Sequence, residues 1–256
     1  MKKITKISII TATYNCAETL PDCLLSVARQ TYNNIEHIII DGASTDQTLS
    51  IISDHINQID KFITEPDSGI YDALNKGLQL STGEVIGFLH ADDFYATNDV
   101  LYKIADAFKD PHVCAVYADL AYVSQTDTSK VIRLWKSNFF ERKNLKWGWM
   151  PAHPTLYVRR DWYLKIGGFE KKYKISADYL SILKLFSLPQ FNTKYIPEVL
   201  INMRLGGASN KSINAILEKL IEDWLALRSC NFSIINALRA ILWKNLRKIP
   251  QFLIKK

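Results

Sequence analysis

The amino-acid sequence predicts an α/β protein with a mostly parallel central sheet flanked by helices and a helical extension at the C-terminus. Short β-branched runs alternate with helical patterns over the first half of the 256-residue chain, as in a parallel sheet covered on both faces. Neither a G-x-G-x-x-G segment nor a P-loop follows the first strand, which disfavours a dinucleotide-binding dehydrogenase or an NTPase. Two amphipathic helices are predicted within residues 211–256.

The predicted strands and helices follow one another closely. Strands are assigned where Ile, Val and other apolar residues run together, and helices where apolar residues recur every three or four positions. In chain order the elements are strand 7–13, helix 16–30, strand 36–40, helix 48–59, strand 61–64, helix 70–80, strand 84–89, helix 100–109 and strand 113–122.

The later part of the chain changes in composition. From about residue 131 it is rich in aromatic and basic residues, which suits either a wall for a second substrate or a packed cover at a mixed sheet edge. Four cysteines without a CxxC pair indicate reduced thiols. The chain has no run of about 18 apolar residues, so no transmembrane helix is expected, and the first apolar run reads as a strand rather than a signal peptide.

The positive charge is concentrated at the C-terminus. The net charge is +6, yet residues 224–256 hold seven basic residues and no acidic ones, leaving 25 basic against 26 acidic in residues 1–223. Nucleic-acid binding by the main domain is therefore not expected. The basic, amphipathic extension instead suits contact with an anionic membrane surface; the alternative is a helical pair that packs on the body or forms a homodimer.

Polar residues follow four of the predicted strands, in segments 11–15, 41–44, 65–69 and 90–93. Ligands of such sheets bind outside the carboxyl ends of the strands. Two adjacent carboxylates, Asp92 and Asp93, repel each other unless a cation neutralises them. Oxygen ligands without a nearby Cys/His cluster favour Mn²⁺ or Mg²⁺. The alternative is that the pair caps the next helix.

Four motifs in order carry a resemblance to a known family: "SIITATYNCAETLPDCLLSVARQTYNNIEHIIIDGASTDQT", "DSGIYDALNKGL", "STGEVIGFLHADD" and "GGFEKKYKISADYLSILKL". Over residues 4–210 the chain resembles family 2 glycosyltransferases, which have the GT-A fold. The resemblance implies an inverting transferase that uses a nucleotide-diphosphate sugar, usually a UDP-sugar. It divides the chain into a GT-A domain at 1–210, with a nucleotide-binding half at about 1–125 and an acceptor-binding half at about 126–210, and an extension at 211–256.

The resemblance also assigns roles to the strand-end residues. Those that resemble contacts to the nucleotide or the donor sugar are Thr11, Thr13, Asp41, Asp67, Asp72, Lys76, Asp92 and Arg204. Asp93 resembles the principal metal ligand, with Asp92 shared between ribose and metal. His90 stands where the family often has Asp, so its role stays open between a metal-side contact and a strand-end residue.

The acceptor side is assigned in the same way. Asp178 matches the family's catalytic base, which takes the proton of the acceptor hydroxyl; it could also cap the helix that follows. His153 resembles a contact to acceptor or donor sugar. Trp147 and Trp149 could stack on a sugar ring or pack in the core.

The expected function is metal-dependent transfer of a hexose or N-acetylhexosamine from a UDP-sugar to a saccharide acceptor. Bacterial members of the family often use acceptors on undecaprenyl diphosphate. The resemblance therefore implies a protein peripheral to the cytoplasmic face of the inner membrane. It also implies a role in the synthesis of O-antigen or another cell-surface polysaccharide. One alternative is a sugar-nucleotide nucleotidyltransferase, which requires a Gly-rich basic loop after the first strand; this chain has no such loop there. The other alternative is a non-catalytic carbohydrate-binding protein.

Overall fold

The computed structural model describes residues 4–206, 213–248 and 251, and it confirms the α/β architecture. Within these residues nine strands form one sheet. The strands are β1 (Ile7–Thr13), β2 (Ile35–Asp41), β3 (Lys61–Thr64), β4 (Val85–Phe88), β5 (Asp93–Tyr95), β6 (Ala115–Val123), β7 (Val131–Trp135), β8 (Tyr157–Arg159) and β9 (Thr193–Arg204). The helices are α1 (Leu20–Ala28), α2 (Thr48–Asp54), α3 (Ile70–Leu80), α4 (Val100–Ala107), α5 (Arg160–Ile166), α6 (Ala177–Ser187), α7 (Ile213–Ser229) and α8 (Ile234–Leu246).

The sheet is parallel in its first half and mixed in its second. The strand order is β3-β2-β1-β4-β8-β6-β9-β5, with β7 beside β6. Strands β3, β2, β1 and β4 are mutually parallel, as predicted. Strand β8 is antiparallel to both of its neighbours, and β5 and β7 are also antiparallel to theirs. The carboxyl ends of β1, β2 and β4 therefore share one edge, where a ligand site is expected.

Element boundaries are confirmed where the local pattern is strong. The bounds of β1, β3 and α3 match the prediction, whereas the other predicted elements differ by a few residues. Strand β5 was not predicted. It begins at Asp93 and pairs with β9, which lies about 100 residues later in the chain, and such long-range pairing has no local signal.

Helix α3 packs closely on strand β1. A Cβ added at Gly77 would lie 2.3 Å from a side-chain carbon of Ile10. Because Ile10, Leu74 and Leu78 are buried in the same cluster, this contact fixes the helix over the carboxyl half of the sheet. The loop before α3 is thereby held next to the end of β1.

The C-terminal helices pack against the body. Ala226 and Leu227 of α7 and Ala237 and Ala240 of α8 are fully buried in the main core. The approach is close, since a Cβ on Gly148, whose φ is 65°, would lie 2.1 Å from the Ala240 carbonyl oxygen. The small residues therefore form the packed side of the helical pair.

The apolar faces predicted for these helices are largely exposed instead. Several of their large side chains leave 40% or more of their surface open to solvent: Ile216, Leu217, Ile221, Ile234, Leu238, Leu242 and Leu246. The side chain of Ile213 and the residues Lys255 and Lys256 lie outside the described part of the chain. Among the helices described, none combines the length and apolar character needed to span a bilayer.

Candidate active site

A large cavity of about 1410 Å³ opens at the carboxyl ends of β1 and β4. One wall is formed by the residues after these two strands and by the start of α3. The opposite wall comes from segment 148–156, the first turn of α6 and side chains of α7 and α8. The cavity thus brings together segments that are up to 240 residues apart, which the sequence had placed in separate units.

Asp41 lies outside this cavity and is saturated by protein donors. Its buried carboxylate accepts hydrogen bonds from the hydroxyls of Thr13 at 2.9 Å, Ser44 at 2.5 Å and Thr64 at 2.8 Å, and from the Ser44 N–H at 2.9 Å. A carboxylate with four such bonds has little capacity left for a donor group of the nucleotide. The predicted contact of Asp41 to the nucleotide or donor sugar is therefore corrected to a structural role: Asp41 ties together the ends of β1, β2 and β3.

Thr11 is also a structural residue. It is fully buried, and its hydroxyl lies 3.1 Å from Nε2 of His37. Burial lowers the pKa of His37 to about 4. Thr13 and Asp67, in contrast, do line the cavity, and the Asp67 carboxylate holds the Gly69 N–H at 2.8 Å.

Asp72 and Lys76 are on the side of α3 that faces away from the cavity. Asp72 pairs with Lys171 at 3.1 Å and with Lys76 at 3.6 Å. Lys76 also pairs with Glu65 at 2.7 Å. Neither side chain lines the cavity, which corrects their assignment as direct donor contacts. The cavity-lining members of the same helix are Ile70, Tyr71, Ala73 and Leu74.

Asp92 and Asp93 face different environments. Asp92 lines the cavity, whereas Asp93 is fully buried at the first position of β5, on the same side of that strand as Tyr95. Neither carboxylate oxygen of Asp93 has a hydrogen-bond partner among the described residues. Burial, followed by the charge of Asp92, raises the pKa of Asp93 well above its ordinary value. Asp92 is therefore the carboxylate of the pair that lines the cavity, and the assignment of Asp93 as the principal metal ligand stays a prediction. The helix-cap alternative is wrong, because the N-cap residue of α4 is Asp99.

The surroundings of Asp92 suit a cation shared with a ligand. Nδ1 of His90 is buried without a hydrogen-bond partner among the described residues, and His90 also lines the cavity. In the described part of the chain no three His, Cys, Asp or Glu side chains form a ready metal cluster. Mg²⁺ is commonly held by one or two carboxylates together with substrate phosphates, and Asp92 fits that mode.

Arg204 ends strand β9 rather than lying in a loop. Its side chain is 6% exposed, donates to the Asp92 carbonyl at 2.9 Å, pairs with Asp22 and stacks on Phe94. Although Arg204 borders the cavity, its guanidinium is engaged by the protein. It therefore positions the Asp92 segment, and its assignment as a contact to the nucleotide or donor sugar stays a prediction. Gly207, three residues further along the chain, lies outside the described residues.

Asp178 lies in the first turn of α6 and lines the cavity. Its Oδ1 accepts the Tyr71 hydroxyl at 3.2 Å, and its Oδ2 lies 3.4 Å from Nδ1 of His153. The His153 ring in turn contacts the His90 ring, with centroids 6.0 Å apart. A chain of contacts therefore runs from Asp178 through His153 to His90, which lies two positions before Asp92 in the sequence.

The charges around Asp178 keep it ionised. Burial acts to raise the pKa of Asp178, but the charges of His153, Lys244 and Lys219 and the N–H of Tyr179 act against it, and the pKa is lowered overall. Burial lowers the pKa of His153 to about 4, so at neutral pH His153 is uncharged and the cations that act on Asp178 are Lys244 and Lys219. An ionised carboxylate at a helix start can accept a proton.

The two tryptophans differ in placement. Trp149 lines the cavity but is 5% exposed, donates to the Ser137 carbonyl at 2.9 Å and packs on Phe186. Trp147 lies outside the cavity and packs on Trp243 and Arg239 of α8. Trp149 is therefore a core residue, whereas Trp147 packs on α8 with 38% of its surface exposed and does not belong to the cavity.

Several cavity residues were missed from the sequence. Lys219, Asp223, Lys244 and Lys248 of the C-terminal region form part of the wall, although no motif marks them. Glu222 accepts the N–H groups of Lys174, Ile175 and Ser176 at 2.7–2.8 Å. It fixes the segment before Asp178 from a helix about 40 residues further along the chain.

Sequence comparisons show similarity to glycosyltransferases. Residues 8–166 match the profile described as Glycosyl transferase family 2. A PGL/p-HBAD biosynthesis glycosyltransferase of Mycobacterium bovis is 34% identical over 211 residues, covering 81% of this chain and 80% of that protein.

Solved structures also resemble this chain. Staphylococcus aureus TarS 1-349 in complex with UDP-GlcNAc superposes with a TM-score of 0.72 at 17% identity, covering 94% of this chain and 72% of that one. The mannosyltransferase PcManGT from Pyrobaculum calidifontis, in complex with GDP-Man and Mn²⁺, gives 0.69 at 18% identity, covering 98% and 74%. At these identities the likeness concerns the fold.

Proposed function

The chain belongs to glycosyl transferase family 2 and is a glycosyltransferase with the GT-A fold, and from this premise we propose an inverting, metal-dependent transfer from a UDP-sugar. The observation that carries the proposal is that Asp92 and Asp178 line one cavity. A single displacement needs a group that favours departure of the diphosphate and a base that takes the acceptor proton. Membership of the family excludes the nucleotidyltransferase and the non-catalytic alternatives.

The donor is proposed to lie along the β1 and β4 ends. Thr13, Asp67 and Asp92 are the residues from the initial assignment that line this part of the cavity. A UDP-sugar agrees with the family resemblance, and TarS binds UDP-GlcNAc. A divalent cation held by Asp92, Mn²⁺ or Mg²⁺, would offset the charge on the departing diphosphate.

The base is proposed to be Asp178. The carboxylate is ionised, is held by the Tyr71 hydroxyl and lies next to an uncharged His153. Its Oδ atoms can therefore accept the proton of an acceptor hydroxyl as the new glycosidic bond forms. His153 orients the carboxylate and stands at the acceptor side of the cavity.

The acceptor is proposed to be a saccharide on a lipid diphosphate, used at a bilayer surface. The support is the exposed apolar side of α7 and α8, together with the cationic Arg228 and Arg247 on the same helices. Helices with apolar and basic sides bind anionic lipid surfaces.

The proposal is tested with a panel of UDP-sugars, with Mn²⁺ or EDTA, by measuring UDP release with and without a lipid-diphosphate saccharide. We expect release that requires the metal and rises with acceptor. Asp178→Asn should keep UDP-sugar binding and lose transfer by about 10²–10⁴-fold. Asp72→Asn is the matched control, since that carboxylate faces away from the cavity. Normal turnover by Asp178→Asn would refute its role as base.

A further inference from the structure

The cavity wall nearest Asp178 is unusually rich in lysines. Lys219 comes from α7, Lys244 from α8, and Lys248 follows α8; all three line the cavity. The charges of Lys219 and Lys244 act on the Asp178 carboxyl. Lys248 in turn experiences the charges of Lys219, Lys244 and Arg133. The C-terminal helices thus bring a group of cations to the proposed base.

Two carboxylates of the same wall, Asp178 and Asp223, stand against these three lysines. Lys244 is paired with Asp223 at 2.8 Å, with both side chains buried, and its ammonium lies 3.5 Å from the centre of the Tyr179 ring. Across the described ranges neither Lys219 nor Lys248 forms an ion pair, and Lys248 donates to Asn245 at 2.9 Å.

Half-buried cations without counterions are unfavourable. Burial, then the charges of Lys219 and Lys244, lowers the pKa of Lys248 to about 8. A bound anion would reverse that effect. This wall is therefore suited to a ligand that carries negative charge, whereas a neutral sugar offers lysines only weak hydrogen bonds.

We propose that Lys219 and Lys248, beside the Lys244–Asp223 pair, form a subsite for a phosphate or diphosphate group of the acceptor. This inference rests on the proposed function. The acceptor is favoured over the donor because these lysines act on Asp178, the proposed base. On the donor side, the cation whose charge acts on the Asp93 carboxyl, next to Asp92, is Arg204 and not one of these lysines. A diphosphate with two or more charges matches a group of lysines better than a single carboxylate does.

The test is calorimetric titration of the full chain, saturated with UDP at fixed Mg²⁺, with decyl diphosphate as the probe and decanol as the uncharged comparison. Wild type should bind decyl diphosphate and not decanol. Lys219→Gln and Lys248→Gln should each weaken this binding about tenfold, the size of one lost charge-assisted contact. Separate titrations should show UDP affinity unchanged within about twofold.

Two further variants make the result specific. Lys146→Gln removes an exposed lysine outside the cavity and should change neither affinity. Lys248→Arg should retain decyl diphosphate binding, because the charge is kept. Thermal unfolding of each variant checks that the fold is preserved.

Two outcomes would overturn the subsite. Weaker UDP binding with unchanged decyl diphosphate binding would assign the lysines to the donor. Unchanged binding of both would show that they recognise no phosphate. Neither readout requires turnover, so a failure of the proposed function, seen as absent metal-dependent UDP release by wild type, is distinguished from a failure of this subsite.

Discussion

Adjacent residues of this chain face different environments because of where a strand begins. Asp92 precedes β5 and borders the cavity, whereas Asp93 is its first residue and points into the interior. Alternation along a strand sends neighbouring side chains to opposite faces. The sequence predicted two carboxylates that repel each other in one site. In the structure only Asp92 lines the cavity, and burial raises the pKa of Asp93, which favours its neutral form.

The buried Asp93 gives a stability prediction. A carboxyl whose pKa is raised by folding contributes stability below its unfolded value, near 3.8, and loses that contribution as pH rises. The side chain of the Asp93→Asn variant cannot ionise, so at pH 7.5 this variant should unfold at a higher temperature than wild type. In a chain of this size, each kcal/mol gained in the free energy of unfolding raises the unfolding temperature by roughly 4 °C or less.

The difference should shrink towards pH 4, measured by thermal unfolding followed by circular dichroism. Metal-dependent UDP release should persist in Asp93→Asn and be lost in Asp92→Asn. The reverse pattern would assign the metal to Asp93 rather than to Asp92.

His153 gives a prediction on pH dependence. Its pKa is about 4 in the folded chain and 6.5 in the unfolded chain, so the unfolded state binds more protons between these values. Stability should therefore fall as pH drops from 6.5 towards 4, by at most about 1.4 kcal/mol per pH unit from this residue.

His153→Gln should show a shallower decline, measured by urea unfolding at a series of pH values. His112→Gln removes an exposed histidine and should leave the slope unchanged. An equal slope for wild type and His153→Gln would mean that His153 titrates normally.

At the scale of elements, the start of α6 is held by α7. The N–H groups of Lys174, Ile175 and Ser176 lie just before α6, and the buried Glu222 carboxylate accepts all three. A residue of the extension thereby fixes the proposed base.

Removing this contact should affect stability and catalysis together. Glu222→Ala leaves three N–H groups unpaired, so the free energy of unfolding should fall by about 2–4 kcal/mol. The rate of transfer should fall as well, because Asp178 loses its support. Glu218→Ala, one turn away, loses only a surface pair with Lys174 and should cost about 0.5 kcal/mol or less. Urea denaturation and UDP release measure both effects, and equal losses in the two variants would contradict the proposed support.

At the scale of the whole molecule, α7 and α8 have three faces with different surroundings. One side supplies alanines to the core, a second supplies lysines to the cavity, and a third exposes large apolar side chains. Deleting these helices would expose the core and open the cavity. Point substitutions on the exposed side are therefore the proper test of membrane contact.

The double variant Ile235→Ser/Leu242→Ser changes side chains that are 69% and 59% exposed. It should reduce flotation with phosphatidylglycerol vesicles several-fold while leaving thermal unfolding unchanged, since binding scales with buried apolar area. Ile56→Ser, at a residue 45% exposed elsewhere, should have no effect. Undiminished flotation of the double variant would rule out this face, and loss of a dimer in light scattering would assign it to self-association.

The sequence by itself determined the α/β class and the parallel arrangement of β1 to β4, which follow from apolar runs and helical spacing. It also selected Asp92 as a candidate site residue, because polar residues follow the strands, whereas Asp178 was selected by the family resemblance. It also gave the family, because the four motifs lie within continuous stretches of chain.

Only the tertiary structure decided which polar residues face the cavity. The carboxylate of Asp41 accepts hydrogen bonds from residues at the ends of neighbouring strands. Asp72 and Lys76 form an ion pair on the side of α3 that faces away from the cavity. Asp93 points into the interior because β5 pairs with β9. Lys219 and Lys248 reach the site only because small residues let α7 and α8 pack on the body. Local pattern specifies the element to which a side chain belongs, whereas its partners come from distant segments, and those partners decide whether it binds a ligand or the protein itself.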